Sequence, residues 1–252
     1  MSGGYGKKFE DHILFKNKII KNLFFKYIYP PMPTFNSIER NIIENIQSKI
    51  FGKKRRVLNF GCGISTGSGK IIWKTDLVYD CDIIHCDVLL QGEVSVVADA
   101  HFLPFKSNSF DSIICQAVIE HLHDPILFVK EMHRVLKPSG CIYSEVPFLQ
   151  GFHADPDDFQ RYTLEGLKIL FKKFKIINYG VSVGPFCTLV WFLRDATSSF
   201  FSNKYFFNFV RFFISWLLSP IRFLDLFIRK KPLFKRLACE NYILVKKPYY
   251  EE

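Results

Sequence analysis

Val57-Leu58-Asn59-Phe60-Gly61-Cys62-Gly63 is a short, mostly apolar run that ends in Gly-x-Gly. Such a run is the shape of a buried strand that stops at a tight turn. Gly61 and Gly63 lack Cβ, so the backbone can turn sharply there and approach a ligand that any side chain would hold away. Working outward from this point, short apolar runs recur at 57–60, 83–86, 94–98, 110–115 and 141–146. They read as strands buried on both faces, the pattern of a parallel sheet. Helical segments separate them. Asn36 and Glu39 are spaced as a capping box before Ile38, Ile42, Ile43, Ile46 and Ile50, which recur at helical spacing. Asp124-Pro125 opens a second helix, and Lys137-Pro138-Ser139-Gly140 is its expected stop. The alternation predicts a doubly wound α/β sheet with its ligand outside the carboxyl ends of the strands.

Three glycine-rich loops compete for residues 57–70. A dinucleotide fingerprint needs glycine at position 66, which is Thr66. A P-loop needs glycine at position 64 and a hydroxyl after Gly69-Lys70, where Ile64 and Ile71 stand. The downstream sequence separates the choices. Asp87 ends the second strand, Ala98-Asp99-Ala100 precedes Leu103-Pro104-Phe105, Ser109-Phe110-Asp111 opens the fourth strand, Glu120-His121 precedes Asp124-Pro125, and Arg134 to Gly140 reads Arg-Val-Leu-Lys-Pro-Ser-Gly. In this order, over roughly residues 55–185, the chain resembles the class I S-adenosylmethionine-dependent methyltransferases, in the type 11 branch shared with ubiquinone/menaquinone methyltransferases.

The resemblance implies a Rossmann-like seven-stranded sheet with an antiparallel last strand and S-adenosyl-L-methionine as cofactor. It places Asn59, Gly61, Cys62, Gly63, Asp87, Asp99, Ala100, Gln116 and His121 around that cofactor. Asp87 suits two ribose hydroxyls, and Asp99 the adenine amino group, with Phe102 or Leu103 over the ring. Asp82 is the rival of Asp87 at the other end of its strand, and Asp111 reads as structural. Two residues depart from the family pattern: Asn59 stands where an acid is usual, and Ser65 where a third glycine is common.

After the fifth strand, residues 146–163 resemble the same branch and are expected to hang over the methyl group. In this segment His153 with Asp157 can take a proton from an acceptor, while Arg161 and Phe148 can hold the acceptor itself. The alternative is an Asp157–Arg161 surface pair followed by Thr163 capping a helix with Leu167, Leu170 and Phe171 on its apolar face.

Residues 175–183 and 240–246 read as the sixth and seventh strands. Between them Lys204, Asn208, Arg211, Ser215, Ser219, Arg222, Asp225 and Arg229 advance at a helical period, and nearly everything else is aromatic or aliphatic. Ten of the 28 Phe residues lie between Phe200 and Phe234. The expected organisation is therefore a basic amphipathic arm (1–34), a methyltransferase core (35–185), a basic aromatic helical insertion (186–238), and a last strand with its tail (239–252).

Net charge is +10, which favours an anionic partner. The basic, apolar stretch 199–236 suits peripheral contact with a membrane interface; a helical cap or a dimer surface is the alternative. Arg211 and Arg222 leave too short an uncharged run between them for a spanning helix. Seven scattered cysteines without a Cys-x-x-Cys pair indicate neither a disulfide framework nor a metal site, and no secretory signal is expected at the amino end. These features predict a cytoplasmic enzyme, peripheral at the inner face of a membrane, that methylates a small hydrophobic or lipid-linked acceptor. A non-catalytic cofactor-binding scaffold is the alternative. Nucleic acid ranks last as a partner, and the sequence does not fix the oligomeric state.

Overall fold

The structure is a computed structural model, and it describes residues 30, 34–63, 71–153 and 157–249. The expected amino-terminal arm (to residue 29), Ser65, Thr66 and Gly69-Lys70 lie outside these residues. The chain divides into two compact units. The larger contains 38–63, 71–148, 159–182 and 240–249; the smaller contains 34–37, 149–153, 157–158 and 183–239. Residues 149–153 and 157–158 group with the helical segment.

The larger unit is built on seven strands: β1 (Arg56–Phe60), β2 (Asp82–Asp87), β3 (Val96–Val97), β4 (Phe110–Gln116), β5 (Leu136–Pro147), β6 (Lys175–Val183) and β7 (Glu240–Lys246). Their order is β3-β2-β1-β4-β5-β7-β6. β1 to β5 run parallel, and β7 is antiparallel to β5. The order reverses at β1/β4, so the carboxyl ends of β1, β2 and β4 frame the crevice where doubly wound sheets bind ligands.

Successive side chains of a strand point to opposite faces, and the core follows that rule. Leu58, Ile113 and Ile243 join one buried cluster with Phe128 and Met132 of α2 (Pro125–Val135) and Leu167 of α3 (Leu164–Leu170). Their neighbours Val57, Ile114 and Leu244 join another with Ile43, Ile46 and Ile50 of α1 (Arg40–Ile50). Both faces being covered explains why the strands read as continuous apolar runs.

Three helix starts test the capping expectations. Asp124 caps α2 by accepting from Leu127 N–H at 2.9 Å, and Thr163 caps α3 by accepting from Gly166 N–H at 3.1 Å. The third start is displaced: the N-cap of α1 is Glu39 rather than Asn36, without a side-chain cap bond, and Asn36 bridges to Val183. Lys137 to Gly140 also behave differently from the expected loop. α2 ends at Val135, and β5 begins at once, with Leu136 opposite Phe110 and a register shift before Cys141 opposite Ser112. Ser139 takes φ +64° inside that shift, which absorbs the turn within the strand.

The smaller unit is helical: α4 (Pro185–Ser198), α5 (Lys204–Leu218) and the short α6 (Asp225–Ile228), with 3-10 turns at Ser219–Leu224 and Pro232–Leu237. Among the described residues, no helix is long and apolar enough to cross a membrane.

Candidate active site

β1 delivers the chain into the glycine turn. Gly61 (φ +70°) and Gly63 (φ +62°) are left-handed, a conformation that glycine alone adopts without penalty. A Cβ on Gly61 would lie 2.1 Å from Cγ2 of Val118, which follows β4, whereas a Cβ on Gly63 would meet nothing within 4 Å among the described residues. Gly61 is therefore required by packing and Gly63 by its backbone angle, beside open space. The amides of this turn serve the protein: Gly61 N–H donates to Cys86 O at 2.8 Å, and Gly63 N–H to Asp87 Oδ2 at 2.8 Å.

Asp87 sits at the carboxyl end of β2. Its carboxylate also accepts from Leu89 N–H at 3.1 Å, so both oxygens are oriented by backbone donors and retain lone pairs for a ligand's hydroxyls. Asp82, at the amino end of the same strand, forms an ion pair with Arg56 at 3.3 Å. Cys62 is buried beside it; burial, and then the Asp87 charge, push its thiol up to about 11, so it is a neutral thiol.

Asn59 is buried and its Nδ2 lies 3.0 Å from Nδ1 of His85, the residue opposite it on β2. Burial holds the His85 imidazole below its usual range. A neutral imidazole nitrogen accepts from an amide, which a carboxylate at position 59 would not supply. That partner gives a local reason for the departure from the family pattern.

Beyond β3, Asp99 is held by a residue the sequence reading did not single out. Its Oδ1 accepts from His101 N–H at 2.9 Å and lies 2.6 Å from His101 Nδ1. The His101 backbone bond, with its ring, holds the Asp99 carboxyl below the usual range. The Asp99 side chain is 56 % exposed, while His101 is buried and its ring lies 4.2 Å from that of His123. Phe102 is exposed next to it, whereas Ala100 and Leu103 belong to the core.

At the end of β4, Gln116 accepts from Trp73 Nε1 at 3.2 Å and donates to Glu145 Oε2 at 2.7 Å. Glu145 also accepts from Tyr143 Oη. Ala117 then takes φ +56°, a conformation that strains a residue with a Cβ, and Val118 follows it to meet Gly61. His121 Nε2 lies 3.7 Å from Oε1 of the fully buried Glu120. Arg134 binds the loop after Asp99: its guanidinium donates to Phe105 O (2.7 Å), to Leu103 O (2.9 Å) and to both oxygens of Glu131, which in turn accepts from Leu103 N–H.

Residues 159–163 approach the same strand ends. Phe159 N–H donates to Glu120 O (2.8 Å), Gln160 Nε2 to Leu122 O (2.7 Å) and Tyr162 N–H to Pro147 O (3.2 Å). Arg161 donates to Gln160 O at 2.8 Å. Phe148 is half-buried just past β5. His153 belongs to the smaller unit, where its N–H donates to Asp158 Oδ2 at 2.8 Å and its Nδ1 lies 3.7 Å from that oxygen. Asp157 is exposed. Asp111, at the amino end of β4, accepts from Arg56 N–H and Lys137 Nζ, so its role is structural.

Residues 58–144 match the sequence family described as "Methyltransferase domain". That segment is a methyltransferase domain. It runs from β1 into β5 and contains Asp87, Asp99, Gln116 and His121. The ubiquinone biosynthesis O-methyltransferase of Idiomarina loihiensis is 27 % identical over 125 residues, 46 % of this chain and 51 % of that protein. The demethylmenaquinone methyltransferase of Geobacillus kaustophilus is 31 % identical over 117 residues, 40 % and 50 % of the two chains. The human arginine-hydroxylase NDUFAF5 is 28 % identical over 44 % of this chain and 35 % of its own length. The chain thus spans about half or less of these relatives. Among solved structures, phosphoethanolamine N-methyltransferase 2 of Haemonchus contortus, in complex with S-adenosyl-L-methionine, superposes with TM-score 0.51 at 17 % identity, covering 88 % of this chain and 54 % of that one. The [4+2]-cyclase SpnF superposes with TM-score 0.50 at 15 % identity, covering 83 % and 81 %. These two likenesses are of fold, and a fold does not fix a reaction.

A cavity of about 1320 Å³ lies away from the strand-end crevice of the methyltransferase domain. It is lined by Arg55, Lys137, Lys172, Lys246 and their neighbours, where β1 begins and β7 ends.

Proposed function

We propose that the chain transfers a methyl group from S-adenosyl-L-methionine to a small, apolar or lipid-linked acceptor. The observation that carries this reading is Asp87, a buried carboxylate at the end of β2, held by Gly63 N–H beside a glycine whose Cβ position is open. Open space for a cofactor edge and a fixed acceptor for its hydroxyls stand together there. Bound in this crevice, the cofactor supplies a methyl group on a sulfonium, already a good leaving group. Asp87 accepts the ribose hydroxyls. Asp99, held by His101, accepts from the adenine amino group, and Phe102 lies over the ring. Trp73, Gln116 and Glu145 fix the floor between β4 and β5. Methyl transfer asks chiefly for alignment; Arg161 is the group that holds an anionic part of the acceptor. The quinone-pathway names of the relatives support an apolar acceptor.

Calorimetric titration of the full chain with S-adenosylmethionine tests the reading. Asp87→Ala removes charged acceptors, each worth about 1.5–3 kcal/mol, so affinity is expected to fall at least roughly tenfold. Unchanged affinity in a variant with native circular dichroism overturns the site assignment. The arginine-hydroxylase relative favours a second reading, a domain that binds the cofactor without methylating. Binding without transfer of labelled methyl to an extract of cellular lipids selects it.

A further inference from the structure

The helical unit is amphipathic the wrong way round. In α5, Lys204–Leu218, the single buried side chain is Ser215. Farther along the same polar stripe Ser219 is 7 % exposed and Asp225 fully buried. From Ser215 to Asp225 this polar stripe forms an inner seam.

That seam is hydrogen-bonded. Asp225 accepts from Phe186 N–H at 2.9 Å and Cys187 N–H at 3.4 Å, which satisfies the first amides of α4. Gly184 makes room for it, since a Cβ there would lie 2.4 Å from Asp225 Cγ. Ser215 Oγ donates to Arg211 O, and Ser198 Oγ to Arg194 O, each at 2.6 Å. Buried Arg194 pairs with Asp195, which also meets Arg211 Nε at 3.1 Å.

With polar groups turned inward, the aromatic side chains face out. Phe206, Phe209, Phe213, Trp216 and Leu217 of α5 are between 45 and 62 % exposed, and Phe227 of α6 is 79 % exposed. Monomers in water rarely leave so continuous an apolar face uncovered. The charges around it select the partner. Residues 199–236 carry eight Lys or Arg against Asp225 alone, and Asp225 is fully buried. The outer surface of this stretch is therefore strongly cationic; the partly exposed acid of the neighbouring helix, Asp195, meets Arg194 and Arg211. A second copy would bring like charges together. An anionic bilayer interface offers both hydrocarbon for the aromatics and phosphates for the cations. At ~1.5 Å per residue the 15 residues of α5 reach only ~22 Å, short of the ~30 Å hydrocarbon core, so the helix lies in the interface.

We propose that the helical unit 185–237 docks this chain on an anionic membrane, with Phe206, Phe209, Phe213 and Trp216 in the interface and the flanking lysines and arginines on lipid phosphates. The proposal stands independently of methyl transfer, and cofactor titration on the same variants separates the two.

Tryptophan emission reads the contact directly. Trp73 and Trp191 are each 9 % exposed, whereas Trp216 is 45 % exposed. The full chain is mixed with phosphatidylcholine vesicles, with and without phosphatidylglycerol. With phosphatidylglycerol, emission is expected to shift to the blue, to be quenched by bromine-labelled acyl chains, and to lose both responses in Trp216→Phe. Phe209→Asp/Phe213→Asp alters two exposed positions, so circular dichroism should stay native while vesicle affinity falls at least roughly tenfold. The proposal is overturned if the chain stays with the soluble fraction on flotation with anionic vesicles, or if the double variant binds as tightly as the parent. It is equally overturned if sedimentation shows a dimer that the double variant splits and that does not bind vesicles, for then a second copy is the occupant.

Discussion

Replacing Gly61 with alanine sets two costs that the structure separates. The first is backbone: φ is +70°, and a residue with a Cβ pays about 1–2 kcal/mol in that region. The second is steric. The new methyl would lie 2.1 Å from Val118 Cγ2, well inside van der Waals contact, and Val118 is itself in the core. Moving a packed side chain aside costs about 1–3 kcal/mol, so the sum is about 2–5 kcal/mol, a large share of the ~5–15 kcal/mol that holds a domain together. Val118→Ala removes the offending atom and leaves the nearest one, its Cβ, 3.4 Å away. The steric part is then relieved, while the backbone part persists. Urea denaturation of the parent, both single variants and the double should show the pair coupled by about 1–3 kcal/mol, with the double variant more stable than the sum of the singles. Additivity to within about 0.5 kcal/mol, or a Gly61→Ala protein as stable as the parent, would refute the packing account of this glycine.

Two further outcomes follow from the same geometry. Arg134→Lys keeps the charge but loses the fork that grips Leu103 O, Phe105 O and Glu131; because the side chain is 36 % exposed, solvent softens the loss, and stability should fall by about 1–2 kcal/mol, with weaker cofactor binding measured by calorimetry. Burial raises the Asp225 carboxyl above its ordinary 3.8, so the native state holds the proton more tightly than the unfolded chain and this group's contribution to stability grows as pH falls from its raised value toward the ordinary one; the stability difference between Asp225→Asn and the parent should vary with pH over that window, and a pH-independent difference removes the assignment.

All seven strands were legible because each carries apolar side chains on both faces. The start of β5 was not, since Pro138-Ser139-Gly140 has the composition of a loop, and only pairing of Leu136 with Phe110 draws it into the sheet. Asp87 could be read from its place after an apolar run, whereas His101 could not: its importance comes from a carboxylate two residues back and from a neighbouring ring, and neither leaves a periodic trace. The stripe from Lys204 to Arg229 shows the clearest division. Periodicity tells which residues share a face of a helix, but which way that face turns depends on what it packs against.

The position of β7 has a consequence for synthesis. The final strand lies between β5 and β6, so β6 gains its sheet partner only when residues up to Lys246 have emerged, 246 − 183 = 63 residues after its own end at Val183. At a translation rate of about 5–20 residues per second, that interval is roughly 3–13 s. Throughout it the nascent sheet keeps an open edge at β5 while α4 and α5 leave the ribosome. The greasy helices are therefore made before the sheet can close.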